Sequence, residues 1–80
     1  MWAIITDDES GTILVKYQLR DSDIADCDTI ARQHADNMGG SIDKGGYVPD
    51  GCSDFTVTLT DDPEQTVRVW NSRSYFFSAD

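Results

Sequence analysis

The chain predicts an α+β fold, a single antiparallel sheet of four to five strands with one helix packed on one face. The element order is β-β-α-β-β, with a further C-terminal strand left open. Three observations carry this expectation. Residues 12–18 and 54–60 alternate apolar and polar side chains, the period of a half-buried strand. Apolar residues from Ile24 onward recur at helical spacing. Gly, Asp and Pro gather between these runs, where turns need them.

The first element is the apolar run WAIIT (2–6), rich in β-formers. DDESG (7–11) follows as a turn, and TILVKYQ (12–18) turns Ile13, Val15 and Tyr17 to one side, so the pair reads as a β-hairpin. The helix is expected over about 22–38. Ile24, Cys27, Ile30, Ala31, His34, Ala35 and Met38 share one sector, with Asp28, Arg32 and Asp36 opposite. Ser22 or Asp21 is the expected N-cap, because a short oxygen side chain accepts from free first-turn amides. Gly39 and Gly40 end the helix. Asp28–Arg32 and Arg32–Asp36 read as i,i+4 ion pairs on its solvent face. The Gly-rich stretch 39–53 reads as a long loop with a short extended piece near Ile42.

DFTVTLT (54–60) directs Phe55, Val57 and Leu59 inward and Asp54, Thr56, Thr58 and Thr60 outward. DDPEQ (61–65) is a turn, and TVRVW (66–70) directs Val67 and Val69 inward. SYFFS (74–78) is read either as a fifth strand or as an apolar segment closing the core. The expected core is Ile13, Val15, Ile24, Ile30, Ala31, Met38, Phe55, Val57, Leu59, Val67 and Val69. The other sheet face is then Thr-rich, with Lys16, Arg68 and Trp70.

Residues 1–80 form one expected domain, and a chain of this size buries only about 60% of its unfolded surface. Fifteen acids face six bases, for a net charge of −9. Such a surface is repelled by nucleic acid and by anionic membranes and is attracted to basic surfaces. Its simplest use is solubility. No apolar run approaches the roughly 20 residues of a membrane span, and residues 1–6 run straight into Asp7, Asp8 and Glu9, unlike a signal peptide. The expected location is therefore the cytoplasm, with Cys27 and Cys52 reduced; a disulfide between them, or between two chains, stays open. The two cysteines form no Cys-x-x-Cys pair, and a single His does not complete a zinc site beside them.

RDSDIADCD (20–28) places four aspartates in nine residues. Numbered from Asp21 as a calcium loop, it offers Ala25, Asp26 and Arg32 where the loop needs an acid, Gly and Glu, so calcium is not expected. The helix N-terminus, with its partial positive charge, accounts for Asp21 and Asp23, with Asp26 at the limit of the first turn and Asp28 assigned to Arg32. Acids remain in excess elsewhere: Asp7, Asp8 and Glu9 in one turn, and Asp61, Asp62 and Glu64 in another. If the helix runs back along the sheet and 54–60 starts near its C-terminal end, the 61–65 turn lies near the helix N-terminus and the 7–9 turn at the opposite end; the 39–53 loop is long enough to reverse this arrangement. His34 reads as a core-edge histidine bonded to the main chain, and Cys27 as a small buried residue. Cys52 is the more exposed thiol, and Trp70 is either a contact residue or packed on the stem of Arg68. GGSIDKGG (39–46) lacks the phosphate-loop pattern. No triad, metal set or nucleophile motif is present, so catalysis, metal and cofactor are not expected.

With the Asp-rich turns TDDESGT (6–12) and TDDPEQT (60–66), its small size and its β-β-α-β-β order, the whole chain resembles the small acidic phage proteins that inhibit CRISPR systems. That resemblance implies a bacterial-host nuclease complex, such as the Cascade surveillance assembly, as partner. It also implies inhibition by charge mimicry of nucleic acid, without enzymatic activity or direct nucleic-acid binding. The expected contact residues are Asp7, Asp8, Glu9, Asp21, Asp23, Asp26, Asp28, Asp61, Asp62 and Glu64. The rival expectation is an acidic regulatory or structural interaction domain, monomeric or dimeric through a strand edge or the Trp70 face.

Overall fold

The structure, a computed structural model, describes residues 1–20, 26–42, 53–62, 64 and 69–79. Strands β1 (Trp2–Asp7), β2 (Ile13–Gln18), β4 (Phe55–Thr60) and β5 (Val69–Tyr75) form an antiparallel sheet in the order β2-β1-β4-β5. Helix α1 (Cys27–Asn37) packs on one face. The short strands β3 (Gly40–Ile42) and β6 (Phe77–Ala79) pair as a second, two-stranded sheet beside the helix. The fold is α+β as the patterning predicts, with the C-terminal tail in both of its expected roles. Ser74 and Tyr75 complete β5, and Phe77 to Ala79 form β6.

The core lies between α1 and the sheet. Cys27, Ile30, Ala31, His34 and Ala35, at i, i+3, i+4, i+7 and i+8, form the buried stripe of the helix. They meet Ala3, Ile5, Phe55, Val57, Leu59 and Tyr75 from the sheet. Strand register selects this set, since Ile5 lies between Val15 and Val57, and Ala3 between Tyr17 and Leu59. Phe55 pairs with Tyr75, and their rings stack with centroids 5.6 Å apart.

Several sequence expectations require correction. Ile13 is 46% exposed, because a register shift between Ile5 and Thr6 pairs it with Thr6 and removes it from the phase of Val15. Met38 is 45% exposed because it is the C-cap, beyond the buried stripe. The helix begins at Cys27, capped by Asp26 instead of Ser22 or Asp21. Asp26 is extended (φ −84°, ψ 172°), and its carboxylate accepts from the Thr29 amide at 2.8 Å. Thr58 and Thr60, expected outward, are buried, and Ile4 beside them is wholly buried. Asp62 and Glu64, after β4, reach residues of this second face. The Thr60 hydroxyl donates to the Asp62 carbonyl at 3.2 Å, and Glu64 stands 3.9 Å from Lys16. Ile24, Val67 and Arg68 lie outside the described residues, as do most of 39–53 and Cys52.

Two glycines have a geometric reason. Gly39, with φ +81°, turns the chain out of the helix after its amide donates to the Asp36 carbonyl. Gly40 then passes so close to β6 that a Cβ would meet the Ser78 carbonyl and the Phe77 ring. Among the described residues no helix is long and apolar enough to cross a membrane.

Candidate functional site

Among the described residues, most of the aspartates are tied to nearby donors. In the β1–β2 turn, Asp7 accepts from the Ser10 hydroxyl at 2.6 Å and the Ser10 amide at 2.9 Å. The Ser10 hydroxyl, then the amide, holds the Asp7 carboxyl below its usual range. Asp8 accepts from Ser53 and, at 2.5 Å, from Thr56. Thr56 in turn shares a hydrogen bond of 2.7 Å with Ser74 across the strands. Asp8 is therefore half-buried at the end of a polar ladder, while Glu9 next to it is exposed.

At the helix N-terminus, Thr29 holds the Asp26 carboxyl below its usual range, and Arg32 and Arg73 add weaker attraction. Asp28 does not serve the solvent face with Arg32 as expected. It accepts from the Tyr75 hydroxyl at 2.6 Å and lies 4.0 Å from the Arg73 guanidinium, so it pins α1 to β5. Burial, then this bond to Asp28, raises the Tyr75 hydroxyl well above the usual phenol range. Asp54 accepts from the Phe77 amide at 2.9 Å and fixes the entry to β6. Asp62 accepts from the Glu64 amide at 2.9 Å in the turn after β4.

The acids do not converge on one point. Asp7 pairs with Phe55 and Trp2 with Thr60, so the 7–9 turn and the 61–64 turn lie at opposite ends of the sheet, as antiparallel topology predicts. Asp28 lies against β5, and Asp26 caps the helix two residues before it. Asp21 and Asp23 lie outside the described residues. Among the described residues, no three His, Cys, Asp or Glu side chains are grouped to hold a metal ion.

Sequence reasoning missed Arg73 and Tyr75, the residues that fix Asp28. Their only signal was the aromatic tail, whose register on β4 cannot be read from periodicity. Cys27 carries a free thiol, with Sγ 3.7 Å from the Val57 carbonyl oxygen. Burial pushes its pKa up to about 11, which disfavours the thiolate and suits a packing role. His34 departs from its expected main-chain bond: it is buried edge-on against Phe55, centroids 5.1 Å apart, and its Nε2 has no hydrogen-bond partner. No family model matches this sequence, and neither a curated protein nor a solved structure matches it.

Proposed function

We propose that the protein is an acidic binding protein that inhibits a host effector complex by occupying a basic, nucleic-acid-binding surface. The observation that carries this reading is the net charge of −9 on 80 residues. The hydrogen bonds on the carboxylates support it. A carboxylate already held by Ser10, Thr29 or Glu64 loses little side-chain freedom when a Lys or Arg meets it. The partner class is a Lys/Arg-lined channel such as that of a CRISPR surveillance complex, and the action is blocking and not catalysis.

Capture from a bacterial host lysate at low salt tests the reading. The expected product is a nucleoprotein complex, whose binding weakens steeply as ionic strength passes the range where screening acts over about 8–10 Å. Added nucleic acid should compete. Charge reversal locates the contact: Glu9→Lys with Asp36→Lys, and separately Asp61→Lys with Glu64→Lys. Each double moves the net charge from −9 to −5 at exposed positions. Asp26 and Asp28 are unsuitable, since reversal there removes the helix cap and the bond to Tyr75. Association should slow by roughly 10–10³-fold for the double that faces the partner. Full affinity in both doubles at low salt overturns charge mimicry.

The second reading, an acidic regulatory or structural interaction domain, is favoured by one observation: among the described residues, β2 is paired with a strand on one side only.

A further inference from the structure

His34 is the one basic residue on the buried stripe of α1. It is 7% exposed, and its Nε2 is buried without a hydrogen-bond partner. A neutral imidazole carries one proton and can leave Nε2 bare, whereas the imidazolium carries a proton on both nitrogens. In the folded chain the cation therefore buries an N–H that no acceptor meets. Phe55 stands beside the ring, but the pull of an aromatic ring on a cation is small beside the hydration a buried ion gives up.

Among the described residues, the ionisable groups around His34 are engaged elsewhere or turned away. On α1, Arg32 and Asp36 are exposed, and the Cys27 thiol meets the Val57 carbonyl. Tyr75 and Arg73 of β5 are directed at Asp28. On β4, Asp54 is exposed and accepts from the Phe77 amide, and on β1, Asp7 is held by Ser10. β3 and β6 carry no ionisable side chain. Burial is accordingly the one cause that lowers the His34 pKa.

His34 also sits where the fold is thinnest. It lies in the last turn of α1, its carbonyl accepts from the Met38 amide at 3.1 Å, and of the residues after it only Ala35 is buried before Gly39 turns the chain into β3. β3 has three residues, paired with β6, and Ile42 packed on the core. The first half of the helix has separate ties, the cap from Asp26 to Thr29 and the bond from Tyr75 to Asp28. Asp26 is held below its usual range, so the cap persists where a histidine takes up its proton. Short segments at element ends open at lower free energy than central strands.

We propose that His34 is an acid-released latch: its protonation frees the last turn of α1 and β3 from β6, while the four-stranded sheet and the first half of the helix stay folded. β6 remains attached through Asp54, which holds the Phe77 amide. The opening uncovers Phe55 and Ile42, so the acid form presents an apolar surface that the neutral form covers. None of the proposed acidic contacts is needed, so the latch stands or falls apart from the basic-partner reading.

Amide hydrogen exchange of the full chain by NMR, with intrinsic rates divided out, reads the opening residue by residue. Exchange at Met38, Gly39 and the β3–β6 ladder should quicken, approaching tenfold per pH unit as pH falls from about 6.5 to 5, the slope of one proton taken up on opening. It should be nearly insensitive to low urea, as a local opening is, while exchange on β1 and β4 needs global unfolding and is urea-sensitive. A ring that swings out alone leaves β3 in place and gives no such slope. His34→Met should abolish the pH dependence. If that variant does not fold, the wild type still decides, because the slope should level off at the pH where the His34 ring resonances titrate. Exchange independent of pH, an equal slope in folded His34→Met, a slope that ignores the His34 titration, or global urea sensitivity at Met38 and β3 each overturns the proposal.

Discussion

Thirteen of the fifteen acids are Asp, and the hydrogen bonds of Asp7, Asp8, Asp26, Asp54 and Asp62 explain that preference. Each carboxylate reaches an amide or hydroxyl near its own backbone, a distance suited to the short side chain. His34 is a contrasting case, a polar atom buried without a partner. Burial holds its pKa below the ordinary 6.5. The unfolded chain therefore takes up a proton on this residue at higher pH than the folded chain does. Stability contributed by neutral His34 is complete above about pH 6.5, declines as pH drops below that, and is lost once pH falls through the depressed folded value. Asp7 and Asp26 act in the same direction but lower, since their stabilisation is present above 3.8 and is lost as pH falls through their depressed values. His34 is the only histidine, so denaturation midpoints between about pH 5 and 6.5 isolate it. The expected result is a decline in the wild type that His34→Met removes; an equal decline in both rules His34 out. The sequence placed His34 on the buried stripe but not its orphaned nitrogen, because that depends on what Phe55 brings against it.

At the level of elements, the buried stripe of α1 and the inward set of β4 are legible in sequence because period alone fixes which residues share a face. The bulge opposite Ile5, the cap at Asp26 and the register of β5 were not legible, since each is chosen by pairing with a distant strand. Ile13 shows the consequence: its alternation with Val15 is perfect in sequence, and one shifted pair carries it out of phase. Where period did decide, truncation should be severe. Ile30→Ala and Leu59→Ala should each cost about 2–5 kcal/mol, a large part of the ~5–15 kcal/mol that holds a small domain together. Gly40→Ala tests the close approach of β3 to β6, and overpacking there should cost about 1–3 kcal/mol. Urea denaturation midpoints measure all three. Wild-type stability in Gly40→Ala would mean that the β3 and β6 backbones part at no cost, and would overturn the close approach.

For the molecule as a whole, charge separates by element. The turns and the helix carry the acids, while the chain from Ser10 to Arg20, which forms the β2 edge, carries none. Composition announces the net charge, but only the strand order shows that the acid-free run is an outer edge. The excess of acids gives binding and folding opposite responses to salt. A basic partner is drawn by the acids, so screening weakens its capture. Within the chain, screening relieves the mutual repulsion of an excess of nine negative charges. The ion pairs of Lys16 with Glu64 and Arg73 with Asp28 are long and near the surface, so losing them costs little against the gain. Raising NaCl from about 0.01 to 1 M shortens the screening length from about 30 to about 3 Å. Over that range the melting temperature should rise and the capture of a basic nucleoprotein should be lost. A melting temperature that falls with salt would mean that the ion pairs outweigh the repulsion among the acids.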